Sequence, residues 1–427
     1  MKFAKLSLAA IIALGVSASA ADSLETMFKD GKVSGEIRSM YIAQDSDTAT
    51  DSDGFAVGGK LKFETAKYMG LSFGAAFYTT HGVNANNVNE LTGAAGFAGT
   101  HSNLLDENGN SYSLLGEAYA EYNNGNTMLK IGRQVLDTPF AGPDDIRIVP
   151  DLYEAYLLTN TDLADTTLVL AHVTKMAGTI DSLAPTASQF NSMSNAAGIA
   201  GAEDGVTVAA AIYSGFADTT LQAWYYTLSG EVDAWYLEAS HNWDCMLIDG
   251  MKMNGALQYI DFSADTTANA LDPYFAVSGV DYNVWGAKVE GAHTSGFGFD
   301  VAYNSTSDDL GAGAFSGVWG GYPEFAVADE FWHNDLNTRN SDVWRVGASY
   351  DFAKSGVNGL TADVAYVAYD LDNSIAGLSD IDVVDLILSY DVQSVANLST
   401  SLVYEDRSSD ANNADSDILK LYVGYTF

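Results

Sequence analysis

Along most of this chain apolar and polar residues alternate with a period of two, the pattern of strands that set one face against an apolar medium and the other against water. The last nine residues show it without a break: Leu419, Leu421, Val423, Tyr425 and Phe427 on one face, Lys420, Tyr422, Gly424 and Thr426 on the other. Read in this way, the chain holds eighteen strands, near 33–43, 54–65, 70–80, 112–122, 127–134, 152–159, 166–176, 205–214, 219–228, 232–243, 251–262, 282–292, 297–304, 343–352, 359–370, 381–391, 397–406 and 417–427. The spacers after odd-numbered strands are mostly long and rich in Asp, Asn, Ser and Gly; those after even-numbered strands are mostly tight turns such as 123–126 and 294–296. A soluble half-buried strand shows the same alternation, so the medium has to be argued separately.

The charges argue for lipid. In the first strand Val33, Ile37 and Tyr41 oppose Glu36 and Arg38; in the second Leu61 and Phe63 oppose Lys60, Lys62 and Glu64; further on, Trp344 and Val346 oppose Arg345. A basic side chain at mid-bilayer costs roughly 2–4 kcal/mol, and the charged residues fall almost wholly on the opposite face. Aromatic residues collect near strand ends, Tyr41, Phe55, Tyr303 and Tyr404 at one rim and Tyr122, Tyr350, Tyr390 and Tyr425 at the other, as a pair of interfacial girdles. Each strand is near the ~9 to 11 residues a tilted membrane strand needs. The expected fold is all-β, a transmembrane antiparallel barrel of about eighteen strands with long extracellular loops and short periplasmic turns. The alternation fails at 232–243, where Trp235 and Leu237 oppose Tyr236 and Glu238, so a bulge or a lumenal aromatic patch is expected there.

The amino terminus places the chain beyond the inner membrane. Lys2 and Lys5, the apolar run from Leu6 to Val16 and Ala18-Ser19-Ala20 form a secretory signal peptide over residues 1–20. Residues 21–32 read as a periplasmic lead-in with one or two helical turns bearing Leu24, Met27 and Phe28 on one side, and 33–427 as the barrel. Removing the two signal lysines leaves 17 basic against 56 acidic side chains, which excludes a nucleic-acid partner. Cys245 is alone, so no intramolecular disulfide forms. Enzyme chemistry is not expected: Gly70-Leu71-Ser72-Phe73-Gly74 fits a nucleophile elbow but sits in an alternating strand with no helix after it. The six histidines lack metal-ligand spacing, and Asp45, Asp47, Asp51 and Asp53 lack that of a calcium loop. No catalytic, cofactor or metal residues are assigned.

Two stretches carry a family resemblance. Lys130 to Phe140, then Asp144 to Pro150 and Tyr153-Glu154-Ala155, resemble the strand, inward loop and next strand of OprD-type outer-membrane porins, particularly epsilonproteobacterial members; Trp319 to Phe325 with Asp329-Glu330 is similar to another stretch of them. The resemblance implies an eighteen-stranded outer-membrane porin for passive diffusion of small hydrophilic solutes and ions. Independently, Pro139, Pro143 and Pro150 forbid a regular ladder, so 135–151 must be loop. An eighteen-stranded wall is too wide to select small solutes unaided. The loop 135–151 is therefore the expected constriction, with Asp144, Asp145, Arg147 and Arg133 as its charges, and 305–342 a second candidate inward loop. Arg133 shares parity with Leu129 and Ile131, which face lipid, so it must lie beyond the apolar band or past a bulge. Arg38, Lys60, Lys62, Arg345 and Lys420 are the expected basic groups of the pore wall. The excess acid lies in loops and should favour cations. The terminal Phe427 resembles the signal that such barrels present to their assembly machinery. A homotrimer is left open, as is a second reading in which acidic loops make the barrel a surface adhesin or structural protein binding partners or divalent ions.

Overall fold

The computed structural model describes residues 21–47, 51–86, 104–106, 109–143, 147–178, 188–196, 205–228, 231–264, 280–308, 319–328, 340–372, 379–410 and 415–427. The expected signal peptide, and Asp144 and Asp145, lie outside them. A short helix α1 (Leu24–Lys29) leads into β1 (Lys32–Ser46), β2 (Ser52–Glu64), β3 (Leu71–Asn86), β4 (Tyr112–Asn124), β5 (Thr127–Gln134), β6 (Leu152–Asn160) and β7 (Thr166–Ala177). A two-residue β8 (Asn191–Ser192) and the turn-length α2 (Met193–Ala196) follow. Then come β9 (Val206–Phe216), β10 (Thr219–Leu228), β11 (Val232–Asp244), β12 (Met251–Ala264), β13 (Val280–His293), β14 (Phe297–Thr306), β15 (Asp342–Asp351), β16 (Leu360–Asp370), β17 (Ile381–Asp391), β18 (Leu398–Ser409) and β19 (Ser416–Thr426).

Every long strand pairs antiparallel with its sequence neighbours, and β1 pairs with β19 from Glu36↔Thr426 to Ser46↔Ser416, closing a barrel of eighteen strands. The nineteenth strand, β8, bonds only to Lys175 and Met176 at the loop end of β7, while β7 continues the barrel directly to β9. Two residues carry no detectable period, which is why the alternation missed it. Closure is sealed at the last residue: the Gly35 and Phe427 amides each donate to the other's carbonyl, at 2.9 and 3.0 Å. No described helix is long and apolar enough to cross a membrane. The crossing is made by strands, whose backbone groups are satisfied by neighbours all round the ring.

The two faces divide as the alternation requires. Val33, Ile37, Leu61, Ile131, Leu158, Trp285, Trp344, Val346 and Leu421 are exposed on the outside, and their neighbours in sequence turn inward. On the inner face the division is finer than the pattern suggested. Besides charged residues it carries two apolar clusters, one over β6 to β13 and the other over β1 to β4 and β14 to β19 with Leu152 and Ala177 at the ends of β6 and β7. Strand β11 belongs to the first. It pairs with β10 and β12 without a register shift, and Tyr236 is buried inside while Trp235 and Leu237 are exposed outside. Of the two expectations for 232–243 the lumenal aromatic patch is the correct one. In α1, Met27 is buried and Leu24 and Phe28 are exposed, so one residue of that helix anchors it.

The terminal pairing makes a testable claim. Deleting Phe427 removes two backbone hydrogen bonds across the seam, each worth about 0.5–1.5 kcal/mol. Urea titration followed by heat-modified gel mobility should show the folded band lost at lower denaturant; an unshifted midpoint would mean the seam does not depend on the last residue.

Candidate functional site

The described residues between β5 and β6 pack against the wall at two separate places. Their first turn is fixed locally, with the Thr138 amide and hydroxyl both bonded to the Ala141 carbonyl at 3.0 and 2.9 Å. From that turn Phe140 reaches the inward aromatics of β10 and β11, meeting Tyr226 and Tyr236 edge to face with ring centroids 5.1 and 6.3 Å away. The other end of the same segment touches a distant part of the wall. Ile148 seats over Gly58 of β2, where a Cβ would collide with its Cγ2 and with the Thr79 carbonyl, so no larger residue fits there. The Arg147 carbonyl accepts a 2.8 Å hydrogen bond from Arg38 of β1. One segment thus touches β1 and β2 as well as β10 and β11. Arg147 and Asp151 form a buried ion pair, Nη2 to Oδ1 2.7 Å, that holds its last turn.

A second segment, 319–328, lies against the first. The Tyr153 hydroxyl, fully buried at the start of β6, is 2.5 Å from the carbonyl oxygens of both Gly142 and Trp319 and shares its one proton between them. Gly320 sits at φ +80°, and a side chain there would collide with Asp151 and the Tyr153 hydroxyl, so only glycine permits the approach. Around the wall, successive side chains grip the segment's backbone. Gln258 of β12 donates to the Pro323 carbonyl at 2.5 Å, Asn304 of β14 to Ala326 at 3.0 Å and Arg345 of β15 to Val327 at 2.8 Å. The Ala328 amide donates to the Tyr369 hydroxyl of β16 at 2.8 Å. Phe325 lies against Lys288, whose Nζ is 4.7 Å from the ring centroid. Buried carbonyls that find no strand partner need such donors, and the wall supplies them in sequence.

The charged side chains of the wall form linked sets. On β2 to β5, Lys62 bonds Glu117 at 2.9 Å and lies 3.4 Å from Glu64; Tyr78 and Tyr119 donate to Glu117 and Glu64 at 2.9 and 2.5 Å. Lys130 stands over the Tyr119 ring at 3.9 Å. On β1 and β2, Glu36 takes Arg38 at 2.8 Å and Lys60 at 3.8 Å. Across the barrel, Arg345 is 3.0 Å from Asp300 and 3.7 Å from Asp385. Lys420 is fully buried on the inner face of β19, its Nζ 4.7 Å from the Tyr422 ring centroid.

The sequence-derived candidates are therefore distributed as follows. Arg38, Lys60, Lys62, Arg345 and Lys420 all face inward, and Arg147 is brought to Arg38 and Asp151. Asp144 and Asp145 lie outside the described residues. Arg133 does not join the group. It pairs with Ala118 and Glu154 on the outward side, while its neighbour Gln134 is the one buried within. The parity with Leu129 and Ile131 holds to the strand end, so Arg133 is removed from the constriction. Sequence reasoning missed Tyr153 as a junction and Gln258, Asn304 and Tyr369 as grips. All are polar residues on inward positions, a visible signal, but nothing in the sequence names their partners 11 to 166 residues away. Among the described residues no group of three or more His, Cys, Asp or Glu side chains is placed to hold a metal ion.

Comparison with known proteins agrees with this architecture. A family model described as outer membrane porin, OprD family, matches residues 25–427. The crystal structure of Pseudomonas aeruginosa OccK8 (OprE) superposes with a TM-score of 0.74 at 21% identity, covering 94% of this chain and 99% of that one. That of Pseudomonas aeruginosa OpdK with vanillate gives 0.73 at 20% over the same shares, and Acinetobacter baumannii OccAB1 gives 0.76 at 16% over 96% and 99%. No curated protein matches the sequence significantly.

Replacing Tyr153 by Phe strips the shared donor from two buried carbonyls, at a cost of about 1–3 kcal/mol. Hydrogen exchange should accelerate in both 136–143 and 319–328. Acceleration in one alone would show that the hydroxyl does not join them.

Proposed function

We propose, from the premise that this chain belongs to the OprD family of outer membrane porins, that it is a passive channel for small hydrophilic solutes and ions whose lumen is narrowed by 135–151 and by 319–328. Fold and family are those of outer-membrane channels that perform no chemistry, and solute moves down its own gradient. The observation that supports the narrowing is the reach of 135–151 from Phe140 on the β10–β11 wall to Ile148 and Arg147 on β1 and β2. A segment touching walls so far apart divides the space between them, and Tyr153 fastens the second segment to it.

Selection in this reading has two stages. The chain carries a formal charge of −37, and the described residues at the loop ends of the strands include Asp45, Asp47, Asp51, Asp53, Asp380, Asp406, Asp415 and Asp417. Such a mouth concentrates cations, most strongly at low ionic strength. Within the wall, Arg38, Lys60 and Lys62 each stand beside a carboxylate, so a solute meets paired charges that can orient either sign of group. Bare attraction for anions is thereby cancelled, while local geometry is kept. The OpdK structure holds vanillate, a small carboxylate. Phe427, sealing the seam, is the group we assign to recognition by the barrel assembly machinery.

Planar-bilayer recordings test the reading. The protein should conduct, with reversal potentials in a salt gradient on the cation side; silence would refute the channel, and anion-side potentials would refute the selectivity. Arg147→Ala breaks a buried ion pair, a change costing about 3–5 kcal/mol, and should raise and roughen the conductance. Asp144→Asn should reduce cation preference. Unchanged traces in both variants would take 135–151 out of the path.

A pH dependence follows from Asp137, in the same segment, whose carboxyl burial pushes above the ordinary aspartate range. The fold therefore favours its protonated form. The docked segment is most stable below the ordinary carboxylate pKa and loses that increment as pH rises through the raised one. Cation preference should start to fall at a higher pH on acidification than in Asp137→Asn, where that early component should vanish.

A further inference from the structure

A basic group on the outward side of a membrane strand needs a reason, since at mid-bilayer it costs roughly 2–4 kcal/mol. Among the described strand residues two basic side chains stand on that side, Arg133 of β5 and Lys175 of β7, and they occupy one row. Arg133 pairs with Glu154, and Glu154 with Lys175. The row lies at the loop end of the barrel, one residue from the end of β5 and two from the start of β6, at the opposite end from both termini. In a bacterial barrel of this topology that is the outer leaflet.

The placement of Lys175 depends on an irregularity of the strand. Between β6 and β7 the register shifts, with Ala155 opposite Val173 but Glu154 opposite Lys175, so Thr174 is an extra residue. Val173 and Met176 are both buried inside. Strict alternation from Val173 would turn Lys175 into the barrel; the bulge turns it out opposite Glu154, which stands between it and Arg133, as bulges re-aim side chains. The surroundings hold Arg133 in a fixed pose. Its Nη1 donates to the Leu115 carbonyl at 3.1 Å, its Nε lies 3.7 Å from Glu154, and the Phe190 ring covers the guanidinium 4.2 Å away. Glu154 is itself engaged by the Thr174 hydroxyl at 3.1 Å. The row carries two positive charges to one negative, directly above exposed Ile131, Tyr156 and Leu158.

We propose that Arg133 and Lys175 form a binding site for a phosphate group of the phosphorylated glycolipid in the outer leaflet. The apolar band beneath the row meets acyl chains, and the row is at headgroup height. A planar guanidinium and a flexible ammonium on either side of one strand suit phosphate, which accepts from both. Among the described strand residues of this acidic chain, the outward lysine and arginine side chains are those of this row. Outward charges near the rim elsewhere, Asp233, Asp261, Asp342 and Asp382 among them, would repel phosphate. The site is outside the lumen, so it stands or falls independently of the channel reading.

The test uses the full mature chain in detergent micelles, with native mass spectrometry to follow retention of bis-phosphorylated lipid A and of the same lipid after phosphatase treatment. Phosphorylated lipid A should be retained roughly tenfold better by wild type than by the R133Q/K175Q double variant, at unchanged single-channel conductance. Gel mobility before and after heating reports whether the variant is folded; if it is not, K175Q alone should weaken retention while staying folded. Four results would overturn the proposal: equal retention of the dephosphorylated lipid, equal retention by folded variants, displacement by millimolar inorganic phosphate alone, or a loss in the variants that appears without lipid as dissociation of oligomers. The last would make the row a contact with a second copy.

Discussion

A polypeptide in lipid has no water to satisfy its backbone, and every other feature of this molecule is arranged around that constraint. The strands meet it by closing on themselves, ending in the reciprocal bonds of Gly35 and Phe427. The same rule then governs the chain that folds inside. Residues 135–143, 147–151 and 319–328 have no ladder of their own, and their buried carbonyls depend on side chains from the wall. Tyr153, Gln258, Asn304, Arg345 and Arg38 are the donors. Once the barrel exists, its inner face acts as a template on which irregular backbone becomes regular in position.

The inner face therefore does two kinds of work. Apolar inward residues such as Tyr226, Tyr236 and Phe262 seat the segments by contact, while polar ones fix their register. The charged residues between them are paired with each other, Lys62 with Glu117 and Arg345 with Asp300. Pairing matters in a confined space, because an isolated charge inside a low-dielectric wall would be expensive to hold and would bind a counter-ion too firmly to release it. Arg345 shows both tasks in one side chain, since it salts Asp300 and grips Val327 at once.

Much of this was legible in the sequence, for identifiable reasons. A lipid face imposes period two on every strand, so eighteen strands, their facing and the pairing of the last with the first could be read from alternation alone. The inward positions of Arg38, Lys60, Lys62, Arg345 and Lys420 came from the same parity. What alternation does not carry is contact across the lumen. It cannot say that Tyr153 bridges Gly142 and Trp319, 166 residues from it in the second case. Nor does it separate inward residues that meet solute from those that seat a loop, so the apolar half of the wall went unread. Arg133 is the converse case: its parity pointed outward, and its place in a family-like stretch argued for the pore. Parity was the better guide, because it follows from local backbone geometry while position in a motif does not.

The bulge at Thr174 shows how one residue redistributes these roles. On its inner side it leaves Val173 and Met176 both in the apolar cluster, so the lumenal seat is uninterrupted. On its outer side it sets Thr174 and Lys175 next to Glu154, whose other neighbour is Arg133. A regular strand would have had to put Lys175 against the seat, where a buried cation without a partner would oppose docking of the inner segments. The insertion thus preserves the apolar interior and supplies charge to the rim in the same step. It stands where β8 adds its two residues to the edge of β7 left by the shorter β9.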